Sequence, residues 1–113
     1  MVSKRLQRIN QDFKKELSTL IPALKDPRID SFLSVMQVDV SGDLSYAKVY
    51  VGSINGSAVA EEACEVLQSA SGHLKSELAK ILRIRKIPEL LFIPDNSAEY
   101  AAKIDDIIKG FDK

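Results

Sequence analysis

Apolar residues in the first part of the chain recur at three- and four-residue steps. Leu6, Ile9, Phe13, Leu17 and Leu20 form one stripe, which predicts a helix from about Ser3 to Leu20. Pro22 lacks an N–H and disfavours helical backbone at Ile21, so the helix is expected to end or kink there. Asp26-Pro27-Arg28 reads as a turn. From Phe32 to Val40 the period drops to two, with Phe32, Met36, Val38 and Val40 on one side. Ser41-Gly42-Asp43 is a turn signal, and Leu44 to Ser53 alternates again. There Ala47, Val49 and Val51 face one way, and Tyr46, Lys48 and Tyr50 the other. Two alternating runs joined by a short glycine-containing loop predict an antiparallel hairpin.

Asn55-Gly56-Ser57 interrupts the pattern, and Ser57 is the expected cap of the next helix. Val59, Ala63, Val66, Leu67 and Ala70 supply its buried stripe; Leu74, Leu78, Ile81 and Leu82 supply that of a further helix. Ala70-Ser71-Gly72 lies between the two, with Gly72 interrupting an otherwise continuous helical pattern. Pro88 closes the segment, and Leu90-Leu91-Phe92-Ile93 reads as a short apolar strand. Asn96 with Glu99 forms a capping-box pattern for a last helix presenting Tyr100, Ile104, Ile107, Ile108 and Phe111. The order α-β-β-α-α-β-α predicts one α+β domain over residues 1–113, a two-layer sandwich with a three-stranded sheet.

Composition narrows the function classes. With 45% hydrophobic and 28% charged residues, the chain has the make-up of a folded protein and not of a disordered one. No stretch approaches the ~20 apolar residues of a membrane span. Met1-Val2-Ser3-Lys4-Arg5 leads into a charged segment with no secretory apolar region, and the single cysteine, Cys64, forms no internal disulfide. The expected location is the cytoplasm. Net charge is zero, with 16 basic and 16 acidic residues. The charges are nevertheless segregated: Lys4, Arg5, Arg8, Lys14 and Lys15 fall in the first helix, and Lys75, Lys80, Arg83, Arg85 and Lys86 crowd a later segment. Acid gathers at Glu61, Glu62 and Glu65 and from Asp95 to Asp112. A neutral protein of this kind can still present one positive face.

Catalytic and metal chemistry find little to build on. The lone cysteine and the lone histidine, Cys64 and His73, are nine residues apart, which at about 100° per residue puts them on opposite sides of a straight helix. Cys64 reads as a small packing residue and His73 as a surface side chain beside a bend. Gly42, Gly52, Gly56, Gly72 and Gly110 are isolated and make no phosphate-binding loop. Glu61, Glu62 and Glu65 suit a helix N-terminal turn on a solvated face, and Asp105-Asp106 reads as an exposed helix face. No enzyme, metal or cofactor is expected.

Binding chemistry concentrates between Ala70 and Lys86. If this segment is helical, Lys75, Ala79, Arg83 and Lys86 fall along one flank beside the core stripe, with Lys80 further round. Cations so spaced could track a phosphate backbone, and free N–H groups near Gly72 could cradle a phosphate. Arg83 and Lys86 near a helix C-terminus would equally satisfy its last carbonyls. Arg5 and Arg8 are mixed with Asp12 and Glu16 and read mainly as a solvated face. Tyr46, Lys48 and Tyr50 could stack bases on an open sheet face, or simply cover a pleated surface. An adaptor whose hairpin edge or last helix docks a protein partner is the alternative to RNA binding.

Several of these residues carry a resemblance. Asp26-Pro27-Arg28-Ile29, the run from Val38 to Val51 with its Asp-Leu-Ser and Ala-Lys-Val-Tyr-Val, Glu77-Leu78-Ala79-Lys80, and Arg83-Ile84-Arg85-Lys86-Ile87-Pro88-Glu89-Leu90 resemble the ribosome-binding factor A family. Asp95-Asn96-Ser97 and Ala102-Lys103-Ile104-Asp105 continue the pattern in the same order. The resemblance implies a type II KH-like fold in which Ala70-Ser71-Gly72 is an Ala-x-Gly kink in place of the usual Gly-x-x-Gly loop. It implies binding to the free 30S small ribosomal subunit and its 16S rRNA in late maturation, with support of 5′-end processing and of growth in the cold. It also implies release with help from a maturation GTPase; a monomer is expected, though the sequence itself does not fix the oligomeric state. Ala70, Ser71, Gly72, Lys75, Lys80, Arg83, Arg85 and Lys86 would face the RNA, with Arg5, Arg8 and Lys48 as secondary candidates. The chain departs from the pattern in its zero net charge and in stopping at Lys113 without the long tail some members carry.

Overall fold

The computed structural model describes residues 4–29, 32–84 and 86–95. The elements are α1 (Lys4–Ala23), β1 (Ser34–Val40), β2 (Tyr46–Gly52), α2 (Ser57–Ser69), α3 (Ser71–Ile81) and β3 (Glu89–Pro94). The expected last helix, its Asn96–Glu99 capping box and Arg85 lie outside the described residues. The sheet has the order β1-β2-β3; β1 and β2 are antiparallel, and β3 runs parallel to β2. A parallel neighbour needs a crossover connection, which α2 and α3 supply.

All three helices pack against one face of the sheet: α1 lies on β1, α2 on β3 and β2, and α3 on β3 and against α1. The core between the layers joins Ile9, Phe13, Leu17 and Ile21 of α1 to Val38, Val40, Val49, Val51 and Leu90 of the sheet and to Leu67, Leu74 and Leu78. The α1 stripe therefore runs past its expected end. Pro22 sits in the last turn, and the helix closes through Leu24 N–H to Ile21 O and Lys25 N–H to Pro22 O, with Lys25 at φ 53. Leu6 and Leu20 only flank the core.

Three expectations need correction. The β1 phase is broken by a bulge: Val35 pairs with Val51 and Gln37 with Tyr50, leaving Met36 extra. One inserted residue shifts the alternation, so Val35, Val38 and Val40 point inward while Met36 is half-buried and Phe32 is 57% exposed. The cap of α2 is Gly56, at φ 122, not Ser57, which is the first helical residue. Within the helices, Ala60 is buried while Val59 and Ala70 of the expected stripe are only half-buried, Cys64 is buried as a packing residue should be, and Ile81 is 45% exposed. The core side of α3 continues at four-residue steps, Leu74, Leu78 and Leu82, which leaves Ile81 to one side.

The hairpin turn bonds to itself. Ser41 N–H donates to Tyr46 O and Leu44 N–H to Ser41 O, while Ser41 Oγ donates to Asp43 Oδ1 and accepts from Ser45 N–H. These bonds hold Leu44 at φ 58, from which its side chain packs on the core. Both outer strands are tied to the helix layer by side-chain amides. Asn10 Oδ1 accepts from Val40 N–H at 2.9 Å, and Gln68 donates to Leu90 O at 2.9 Å while accepting from Phe92 N–H at 3.1 Å.

Gly52 is required by close approach. Asp95 N–H donates to Val51 O at 2.7 Å, and a Cβ on Gly52 would lie 2.7 Å from the Asp95 carbonyl oxygen. Gly52→Ala is therefore expected to destabilise the fold by about 1–3 kcal/mol in urea unfolding, the usual cost of overpacking. Gly42→Ala, whose Cβ meets nothing within 4 Å, should shift stability by no more than about 0.5 kcal/mol.

Candidate nucleic-acid interface

The predicted kink exists. Ala70, at φ −91 and ψ 5, is both the C-cap of α2 and the N-cap of α3. Its N–H donates to Val66 O and Leu67 O, each at 3.1 Å, and its carbonyl accepts the first α3 bond from Leu74 N–H at 3.0 Å. The first N–H groups of α3, those of Ser71, Gly72 and His73, thus stand at a helix start, where backbone donors have no intrahelical acceptor. No side chain caps this end. Gly72 is exposed, and a Cβ there would meet nothing within 4 Å. Packing therefore does not demand glycine at this position, and the kink keeps an open face.

The cations divide into two groups. Lys75 is ion-paired with Glu89 at the start of β3, and Lys80 with Glu77 one turn back at 3.2 Å. Arg83 and Lys86 are exposed and form no ion pair with any described residue. They are also not on the helix that the spacing argument assumed. α3 ends at Ile81 and Leu82 is extended (φ −92, ψ 128), so Arg83 and Lys86 lie on the connection into β3. Leu82, Ile84 and Ile87 reach back onto the core, and Pro88 keeps Ile87, just before it, from helical backbone. Lys80 remains in the last turn of α3. Surface pairs like those of Lys75 and Lys80 are weak, so an arriving phosphate can displace the carboxylate.

The secondary candidates lie apart. Arg5 and Arg8 are exposed near the start of α1, whereas its other end, at Leu20, Ala23 and Leu24, shares a groove with His73, Leu74 and Glu77 of α3. Arg8 is about 18 Å along the helix from that end. Lys48 is on the opposite face of the sheet from all three helices, in register with Asp39 on one side and Leu91 on the other. Tyr50 lies in register with Gln37 and Ile93 on the same face, and Tyr46 with Glu89.

One positioned cation was not singled out from the sequence. A groove of about 240 Å³ beside the kink is lined by Leu24, Asp26, Arg28, Val66, Ser69 and Ala70. Asp26 grips Arg28 there: Oδ1 accepts from the Arg28 backbone N–H at 2.9 Å and from Nε at 3.1 Å, and Oδ2 accepts from Nη2 at 2.8 Å. These bonds hold the Asp26 carboxyl down at about 2. The Asp-Pro-Arg turn was legible, but nothing in its spacing says that it folds against the kink. Among the described residues no group of three or more metal-ligating side chains converges, and no helix is long and apolar enough to cross a membrane.

The profile of the family described as Ribosome-binding factor A matches residues 5–108. A ribosome-binding factor A from Caldanaerobacter subterraneus is 39% identical over 110 residues, covering 96% of this chain and 90% of its own. The crystal structure of ribosome-binding factor A from Thermus thermophilus superposes with a TM-score of 0.70 at 34% identity, over 79% of this chain and 94% of that one. A homology model of the Thermus thermophilus factor, fitted into a cryo-EM map of a complex of the 30S subunit with ribosome-binding factor A, matches with a TM-score of 0.65 at 34% identity, over 78% of this chain and 92% of that one. The described α-β-β-α-α-β order is the KH-like arrangement of these relatives.

Cys64 takes no part in this surface. It is 7% exposed in α2, and burial, with Glu61 nearby, pushes its thiol up to about 11. At neutral pH it is a protonated packing residue and a poor nucleophile. Iodoacetamide at pH 7.5 is expected to leave Cys64 unmodified in the folded protein and to label it fully in urea, read by intact mass. Rapid labelling of the native protein would contradict this assignment.

Proposed function

Because the chain belongs to the ribosome-binding factor A family, we propose that it is a ribosome maturation factor that binds the free 30S subunit through 16S rRNA and assists late assembly. The observation that carries this reading is the likeness, over 78% of this chain, to a factor fitted into the map of a 30S complex. Support for 5′-end processing and for growth in the cold, release by a maturation GTPase, and action as a cytoplasmic monomer without catalysis belong to the same proposal.

Binding starts at the kink. Ser71 and Gly72 offer backbone N–H groups on an open face, and Arg83 and Lys86 offer charge that no described residue pairs, on the segment that follows α3. Lys75 and Lys80 exchange their carboxylates for phosphates on contact, and Arg85 adds a further cation. Arg5, Arg8 and Lys48 play at most a peripheral part, since they sit at the far end of α1 or behind the sheet. The helix layer, packed on a sheet with a continuous core, makes the kink a rigid wedge that holds an immature RNA arrangement while neighbouring elements fold.

In sucrose gradients the wild-type protein should travel with free small subunits and not with complete ribosomes. Arg83→Glu with Lys86→Glu should weaken that binding at least about tenfold and leave the circular dichroism spectrum unchanged. Each phosphate neutralised should add about 0.7–0.9 to the slope of log affinity against log salt. A wild-type slope near zero, or a double variant that binds like the wild type, would rule out this electrostatic face.

A further inference from the structure

We propose that Arg28, oriented by Asp26 in the groove beside the kink, reads the acceptor edge of an unstacked RNA base, with guanine the best match. The inference rests on the RNA-binding reading above and adds a directional contact to it.

The Asp-Pro-Arg turn does not need an arginine side chain. Two backbone donors already close it: Arg28 N–H to Asp26 Oδ1, and Ile29 N–H to the Asp26 carbonyl at 3.0 Å. Any residue but proline at position 28 would keep both bonds. The fork from Nε and Nη2 to the carboxylate is additional, and its effect is to fix the plane of the guanidinium. Of the five guanidinium N–H donors this uses two. Three remain on the outer edge of a side chain that is 63% exposed.

The surroundings select the ligand. Asp26 cancels the charge of Arg28, and Glu62 on α2 adds further negative potential, so a phosphate gains little here. A neutral group with two adjacent acceptors suits the free edge, and guanine presents O6 and N7 in that geometry to arginine. The floor of the groove, Leu24, Val66 and Ala70, is apolar and offers the base a surface to lie on. Ala70 is also the kink residue, so a strand whose backbone runs over Ser71 and Gly72 can turn a base into this groove. Asp26 acts as a positioning residue, and Arg28 makes the contact.

Charge and positioning predict opposite signs for one variant. Asp26→Asn removes a negative charge, so bulk electrostatics alone would strengthen binding to RNA; the amide oxygen still accepts from the Arg28 backbone, but the fork is lost. Purified 30S subunits should bind Asp26→Asn about threefold or more weakly than wild type, and Arg28→Lys, which keeps the charge and loses the planar fork, about tenfold more weakly. Both variants should melt within a degree or two of the wild type, because the pair is on the surface. Fluorescence anisotropy with the pentanucleotides UUGUU and UUAUU should show about a tenfold preference for the guanine strand, lost in Arg28→Lys. If the wild type binds subunits and both variants bind equally well, or if neither pentanucleotide is preferred, the inference falls while the maturation-factor reading stands. A wild type that ignores subunits overturns both.

Discussion

One side-chain amide fixes where the helix layer bends. Gln68 bonds the carbonyl of Leu90 and the N–H of Phe92 together, on the outer edge of the strand that ends the sheet. This ties the last turn of α2 to β3 two residues before Ala70. On the next turns Leu74 and Leu78 must also reach the core, and both are fully buried. A straight continuation of α2 would move along one line over β3, whereas α3 has to reach β3 and α1 together. The bend at Ala70 reconciles the two demands, with its N–H shared between two carbonyls and its own carbonyl opening α3. The open kink that binds RNA in our proposal is thus a consequence of packing.

The same stitching limits how the protein can dock. An adaptor that recruits a partner by strand addition needs free strand edges. Here Asn10 takes up the N–H of Val40, and Gln68 takes up a donor and an acceptor on β3. Among the described residues, two broader surfaces are the kink with its flanking groove and the face of the sheet behind it. The sheet face carries Tyr46, Lys48 and Tyr50 in register with Asp39, Glu89, Leu91 and Ile93, a mixture without a dominant sign of charge. The helix layer carries backbone donors at the kink, where α3 begins, and the exposed Arg83 and Lys86 just past its other end, which makes it the better match for a polyanion.

Much of this was legible in the sequence, for stated reasons. Alternation identified Ala47, Val49 and Val51 because β2, the central strand, has no irregularity and is buried on one face. The kink was legible because a glycine interrupts an otherwise helical pattern. The β1 phase was not, because a bulge at Met36 is written in pairing geometry and leaves no local signal. The end of α3 was misplaced because Ile84 and Ile87 sit at apolar spacing compatible with helix, and only the demands of the core and Pro88 draw them out straight. For the site, the sequence located the cations but not their partners. Glu89 lies 14 residues beyond Lys75, and their pairing depends on β3 beginning beside α3. In the sequence Arg28 shows only as part of a turn, because its proximity to Ala70 exists only in the folded chain.

The pairing of cations with acids bears on why a neutral protein would suit this work. A strongly basic face binds any RNA it meets, since counterion release ignores sequence. Here Lys75 and Lys80 each hold a carboxylate that partly offsets their charge and that a phosphate must displace to bind them directly. Non-specific attraction is thereby lowered more than attraction to a surface of matching shape, because the exchange needs correct placement and not merely proximity. Arg28 carries the same logic further: its charge is cancelled and its orientation kept. A factor that must find one stage of an RNA assembly and then leave it gains from contacts that depend on geometry, and the zero net charge of the chain is consistent with that requirement.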